Sequence, residues 1–328
     1  MEQKLDRLTV LGGGVLGSQI AWHSAYSGKT VAVYDVAEAG LDNCRAAHAS
    51  YDQIYQEQLD ATPDQMDATR ARLSYSLDLD TSVADADIVI ECVPEVPEIK
   101  TELYQKLAGV LPDKTILATN SSTFLPSQFA DSTGRPDKYC ALHFANLIWS
   151  LNVAEVMAHP GTSDETLIAA TRFAIEIGMV PVPVRKEQNG YVMNTMLVAL
   201  LNAAQTLVTN GVSDHETIDR TFMITNRGCE RGPFGIIDVI GMKTIYDVFS
   251  YFYDVFSYWG NESGDEQMIA NASYVKEHLL DNGLMGLQTG RGYYRYPDPA
   301  YSDLGFLDVP DVARTEEFAA PTFPQNSA

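Results

Sequence analysis

Residues 8–35, LTVLGGGVLGSQIAWHSAYSGKTVAVYD, decide the fold. An apolar run, LTVL (8–11), meets three glycines, then a helical stretch, then a second run, TVAVYD (30–35), ending on a carboxylate. Gly12, Gly14 and Gly17 set the spacing GxGxxG between strand and helix. The first glycine permits the tight turn, the second lets the backbone approach a pyrophosphate, and the third lets the helix pack closely on the strand. The N–H groups of the first helical turn, at Val15, Leu16 and Gly17, lack intrahelical partners and offer the positive end of the helix to phosphates. Asp35 stands where ribose hydroxyls can be bound, and neither Val36 nor Ala37 supplies the arginine a 2′-phosphate would need. The segment predicts a dinucleotide site selective for NAD over NADP.

Outward from this unit, β-rich runs alternate with helical stretches: LSYS (73–76), DIVIEC (87–92), KTILAT (114–119), YCALHF (139–144) and VPVPV (180–184). That alternation predicts an α/β fold, a Rossmann-like, mostly parallel sheet with helices on both faces. Residues 43–72 read as a helical excursion broken near Pro63. After Gly190 the pattern changes. YVMNTMLVALLNAAQTLVTNG reads as a long apolar helix closed by Gly211, either a core helix or a subunit interface. Helical stretches follow, with YYRY (293–296) as the one later strand candidate. The expected organisation is a dinucleotide-binding domain (1–187), an all-helical C-terminal domain (188–296) and a tail (297–328). The repeat DVFSYFY–DVFSYWG (247–260) reads as an aromatic helix for the helical core or a dimer contact, some of whose rings could line an apolar pocket.

Composition narrows the function classes. The 328 residues, at ~150 per domain, fit two domains. A formal charge of −22 opposes a phosphate backbone or an anionic membrane, while leaving room for a small anion at a locally favourable site. Cys44, Cys92, Cys140 and Cys229 are too scattered for a zinc site or a disulfide framework, so no metal is expected. MEQKLDRL lacks a signal-peptide core, and no stretch approaches the ~20 apolar residues of a membrane span. These features predict a cytoplasmic, reduced protein.

A nicotinamide carries hydride, so the protein must handle the alcohol proton, and histidine titrates near working pH. Of six histidines, His23, His48, His159, His215 and His278 read as structural or solvated. His143 follows the apolar run YCAL and so falls at the C-terminal end of a strand, where open α/β sheets bind ligands.

Beyond this point a resemblance adds information. GGGVLGSQIA, VIECVPEVPEIKTELYQKL, ATNSSTFLPS, ALHFANLIWSLNVAEV, NGYVMNTMLV, RGPFGIIDVIG and TGRGYYRY occur in that order. Together they resemble the NAD-dependent L-3-hydroxyacyl-CoA dehydrogenases, including 3-hydroxybutyryl-CoA dehydrogenases, over about residues 7–296. The resemblance implies His143 as catalytic base and Glu155 as the carboxylate that fixes its tautomer and stabilises the imidazolium. Ser122 and Asn194 would hold the substrate oxygen, and Glu95 and Lys100 would be cofactor-side contacts. It also implies a homodimer through the helical domain and a place in fatty acid metabolism.

The departures matter as well. The family's HFFNPVP is HFANLIW here, losing both prolines and gaining Trp149; the usual Arg after the helix Asn is Thr195, and the usual Lys before TGxGFY is Gln288. Residues 46–69 hold no Lys or Arg but do hold Asp52, Glu57, Asp60, Asp64 and Asp67, a poor seat for CoA phosphates. The expected activity is reversible oxidation of a short L-3-hydroxyacyl-CoA. The alternatives are a dehydrogenase of a free 3-hydroxy acid or polyol acid, like the carnitine and gulonate dehydrogenases, or a non-catalytic NAD-binding protein.

Overall fold

The computed structural model describes residues 4–226, 228–256 and 262–303, with 251–256 and 262–265 described by backbone alone. Contacts divide the chain into two units, meeting between Asn194 and Thr195.

The first unit is built on one eight-stranded sheet in the order β3-β2-β1-β4-β5-β6-β7-β8. Its strands are β1 (Arg7–Leu11), β2 (Thr30–Tyr34), β3 (Leu73–Ser76), β4 (Ile88–Glu91), β5 (Ile116–Thr119), β6 (Tyr139–Phe144), β7 (Val153–Met157) and β8 (Val180–Val184). Every pairing is parallel except β6 with β7. The two-residue side-chain period sends Ile88 and Ile90 into one apolar cluster and Val89 into another, so both faces are covered. The helices are α1 (Val15–Tyr26), α2 (Glu38–Gln58), α3 (Pro63–Ala71), α4 (Leu79–Val83), α5 (Pro97–Val110) and α6 (Asp164–Glu176).

Several elements differ from expectation. The helical excursion begins at Glu38, and its break is a designed start rather than a kink. Thr62 and Gln65 form a capping box, with Pro63 in the first turn of α3. β7 is absent from the strands expected from the sequence, because a central glutamate interrupts its apolar run. On the edge, β8 carries Pro181 and Pro183, which remove two of the N–H donors an exposed strand would present.

The second unit is helical: the body of α7 (Met193–Thr209), then α8 (His215–Thr225), α9 (Pro233–Ile240), α10 (Met242–Phe256) and α11 (Glu262–His278). Its core gathers Leu201, Phe234, Ile237, Phe249 and Val275. YYRY is not a strand. Residues 286–295 make only isolated bridges, Gly286 with Arg291 and Arg291 with Arg295. The N–H groups of Tyr293 and Tyr294 donate instead to the buried Asp238 carboxylate, at 2.8 and 2.7 Å. The rings of the aromatic repeat from Tyr251 onward, and the tail beyond Asp303, lie outside the described residues. Among the described residues no helix is long and apolar enough to cross a membrane.

Candidate active site

The glycine turn joins β1 to α1. Gly12 has φ +105°, and a Cβ there would lie 2.7 Å from the Cys92 carbonyl oxygen. A Cβ on Gly17 would lie 2.0 Å from the Gly12 carbonyl oxygen, so α1 can seat against the strand only with glycine there. A Cβ on Gly14 would meet nothing within 4 Å. The chain thus packs tightly behind the turn and leaves its front open, where a diphosphate could reach the N–H groups of Val15, Leu16 and Gly17. Val15 is 62 % exposed at that front. Asp35 follows β2 and accepts from the Gly13 N–H at 2.9 Å and the Ala37 N–H at 3.2 Å. Its carboxylate is fixed beside the glycine turn. These residues fit the dinucleotide that the sequence predicts.

The strand register builds the next pair. In the antiparallel β6–β7 ladder His143 stands directly opposite Glu155. His143 Nδ1 lies 2.8 Å from Glu155 Oε2, and the two residues are 2 % and 0 % exposed. A carboxylate accepts, so Nδ1 is the donor here, and Nε2 makes no bond to any described residue. Glu155 Oε1 accepts from the N–H groups of Val192 and Met193, at 2.9 and 2.8 Å, at the start of α7. One carboxylate therefore orients the imidazole and satisfies two donors of a helix N-terminus. Tyr191 makes this possible. Its φ of +55° is strained for a non-glycine residue, and it turns the chain so that both following N–H groups meet Glu155. The Tyr191 ring covers His143 at 5.0 Å between centroids. Asn120 Oδ1 accepts from the Phe144 N–H at 3.0 Å and fixes the strand beside the histidine.

Ser122 lies on the loop after β5. Its N–H donates to Glu95 Oε1 at 2.7 Å, and Asn194 Nδ2 donates to its carbonyl at 3.4 Å. The structure thus brings Ser122, Asn194 and Glu95 together. Lys100 is 1 % exposed on α5. Its ammonium donates to Glu91 Oε1 and Oε2 at 2.8 and 3.0 Å and pairs with Glu95 Oε2 at 3.0 Å. Burial pulls its pKa down, but Glu91 and Glu95 outweigh that, leaving it raised. Glu91, Tyr191, Gln19 and Asn120 were not singled out from the sequence. For Glu91 a signal existed: a carboxylate closing an otherwise apolar, doubly covered strand must be partnered.

The loop after β6 carries the departures HFANLIW shows from the family pattern. Leu147 has φ +61°, and its N–H donates to Gln19 Oε1 at 2.8 Å. Trp149 packs on Tyr51 and Tyr55 of α2, with centroids 5.3 and 6.0 Å away. In the same unit His23 and His48 are buried. His48 lies 2.6 Å from the Tyr75 hydroxyl and 2.9 Å from the Ser18 carbonyl; His23 lies 2.6 Å from the Tyr55 hydroxyl and 2.9 Å from the Ile177 carbonyl. Burial pulls each down to about 4. His159 is buried as well, with its Nε2 3.0 Å from the Pro136 carbonyl. The four cysteines are free.

Comparison with known proteins gives consistent results. Residues 7–188 match the family model described as 3-hydroxyacyl-CoA dehydrogenase, NAD binding domain, and residues 190–296 match that of its C-terminal domain. The mitochondrial hydroxyacyl-coenzyme A dehydrogenase of Rattus norvegicus is 29 % identical over 299 residues, covering 89 % of this chain and 91 % of its own. A solved diketoreductase, described as performing substrate-directed dual catalysis of dicarbonyl compounds, is 42 % identical with a TM-score of 0.78, covering 89 % of this chain and 99 % of its own. The (S)-3-hydroxybutyryl-CoA dehydrogenase of Ralstonia eutropha is 26 % identical with a TM-score of 0.74, covering 90 % and 100 %.

Proposed function

The chain belongs to the 3-hydroxyacyl-CoA dehydrogenase family, and from that premise we propose that it moves a hydride between NAD and C3 of a short L-3-hydroxyacyl-CoA, such as 3-hydroxybutyryl-CoA, with His143 as the base. The observation that carries this reading is the 2.8 Å contact between His143 Nδ1 and Glu155 Oε2, closed off from water. NAD, when bound, supplies the hydride acceptor. His143 Nε2 takes the 3-hydroxyl proton as the hydride leaves C3, and returns it in the reverse direction. Glu155 holds the tautomer and stabilises the imidazolium as it forms, as the acid of a hydrolase triad does. The Ser122 hydroxyl and the Asn194 amide hold the substrate oxygen. Glu95 faces the cofactor, and Lys100 acts on that side through Glu95, since its protons are already committed.

A second reading takes a free dicarbonyl compound, 3-hydroxy acid or polyol acid in place of the CoA ester. It is favoured by the 42 % identity to a diketoreductase and by the charge of α2 and α3. There Arg45 is committed to Glu38 and Asp42, and Arg70 to Asp52 and Asp67. The test is kcat/KM with NADH and with NADPH for acetoacetyl-CoA, acetoacetyl-pantetheine, acetoacetate and a free diketone. The first reading expects acetoacetyl-CoA to lead, with NADH well ahead. Equal values for the CoA and pantetheine esters would mean that the CoA phosphates are not held. Turnover of the free compounds alone would move the assignment to the second reading. Tight NADH binding with no turnover of any of them would overturn the dehydrogenase reading.

We also infer a cytoplasmic homodimer assembled through the helical unit. α7 turns Gln205 and Thr209 inward, where Thr209 donates to the buried Asn271, and leaves Met196 65 % and Leu207 39 % exposed. With Val198, Leu201 and Ala204 already filling the core side of α7, exposed apolar side chains on its other side support a covered face.

A further inference from the structure

Glu91 closes β4, after Ile88, Val89 and Ile90, and is 0 % exposed. An ionised carboxylate in such a place is retained only if its oxygens are fully bonded. They are. Lys100 donates to both oxygens at 2.8 and 3.0 Å, the Tyr104 hydroxyl to one at 2.5 Å, the Thr119 hydroxyl at 2.8 Å and the Val93 N–H at 2.8 Å. An ammonium has three protons, and Lys100 points them at the two Glu91 oxygens and at Glu95 Oε2, 3.0 Å away. The other oxygen of Glu95 accepts from the Ser122 N–H at 2.7 Å and the Ser121 hydroxyl at 2.6 Å. Ser121 in turn accepts from the Phe124 N–H at 2.9 Å. Thr119, which donates to Glu91, accepts from the Ser121 N–H at 3.1 Å. The loop after β5 is thus reached from Glu91 by two routes, one through Lys100 and Glu95 and one through Thr119. Among the described residues nothing bonds the Ser122 hydroxyl, which is left available while its backbone is held.

We propose that Glu91 is a positioning residue for this reaction: through Lys100, Glu95 and Thr119 it fixes the loop that presents the Ser122 hydroxyl. The proposal rests on the reading of Ser122 as a group that holds the substrate oxygen. Glu91 is 0 % exposed and its oxygens are taken up by protein donors. Its effect is on where Ser122 stands, and small displacements of a positioning loop are costly to rate.

The test uses the full chain and three variants, Ser122→Ala, Glu91→Gln and the double variant Glu91→Gln/Lys100→Met. NADH affinity, thermal midpoint and kcat/KM are measured for each. Glu91→Gln is expected to lower kcat/KM about 10–100-fold, the scale of a misplaced supporting group. It also leaves Lys100 buried opposite Glu95 alone. The other ionisable groups around it, Tyr104, Tyr139 and Cys92, are neutral, because burial raises their pKa. Burial then pulls the ammonium down with less to oppose it, so kcat/KM should gain an alkaline limb absent from the unmodified protein. The double variant removes the under-paired cation and should recover the thermal midpoint without recovering kcat/KM, since Glu95 then has no Lys100 to hold it. If the double variant recovers both, or if Glu91→Gln lowers only the thermal midpoint, Glu91 is structural and the proposal falls. If Ser122→Ala leaves kcat/KM unchanged, the reading of Ser122 fails first and takes the proposal with it. An unchanged rate in Glu91→Gln beside a slow Ser122→Ala overturns the proposal alone.

Discussion

His143 and His48 are equally buried, at 2 % and 3 % exposed, and both sit in the first unit; what differs is the charge beside them. The Nδ1 of His143 faces a carboxylate, so a proton arriving at Nε2 creates an ion pair that Glu155 already awaits. His48 faces a tyrosine hydroxyl and a backbone carbonyl, both neutral, and burial pulls it down to about 4. His23 repeats that pattern on α1. Burial alone disfavours an imidazolium; a carboxylate beside it supplies the charge that offsets burial.

The contrast can be broken most sharply at His143. His143→Gln should lower kcat by about 10²–10⁴-fold, the usual worth of general acid–base catalysis, while NADH binding survives because the glycine turn is untouched. Near-wild-type turnover in a folded variant would remove His143 from the mechanism. Glu155→Gln is the finer test, since it gives His143 the neutral surroundings of His48. It should cost about 10–100-fold in kcat, as loss of an orienting outer partner does. Full activity there would show that the partner's charge is not what separates the two histidines.

The smallest effect is on stability, and its sign follows from the direction of the shift. His23 and His48 titrate near 4 in the fold and near their ordinary 6.5 when unfolded. The unfolded chain therefore binds more protons across that interval. Their contribution is complete above pH 6.5 and is lost as pH falls towards 4, by roughly 3 kcal/mol for each. Asp219 and Asp238, in the second unit, are pushed up to about 6 by burial. They work in the opposite sense, their contribution being lost as pH rises through about 6. The two pairs oppose each other over this range, so the test is the difference between variants: relative to the unmodified protein, urea midpoints of His48→Gln should lose less, or gain more, between pH 7 and pH 4. An unchanged pH dependence in that variant would mean His48 is not held neutral.

The parallel core was legible in the sequence because its strands are apolar runs of Val, Ile and Leu bounded by turns, and the glycine spacing was legible because each glycine answers a steric demand. The partnering of side chains was less so. Glu155 reads as a surface charge in the linear sequence; only the antiparallel register brings it opposite His143. β7 escaped notice for the same reason, since a buried glutamate is rare enough to argue against a strand. Lys100 has no visible partner in the linear sequence, because Glu91, nine positions earlier, reaches it only through the fold. YYRY has the aromatic composition of a strand, but Asp238 supplies the acceptors a ladder would have given. In each case a long-range polar contact decided what local composition could not.

Leu147 decides what this loop can accept. Its backbone is left-handed at φ +61°, and its N–H is held by Gln19. A proline has a fixed negative φ and no N–H, so it could take neither that conformation nor that bond. Two positions on, Trp149 lies against Tyr51 and Tyr55, a contact that needs a large ring. Proline at position 147 would therefore lose both the left-handed turn and the Gln19 bond in one step. The loop as it stands is closed to that residue, whatever occupies position 149.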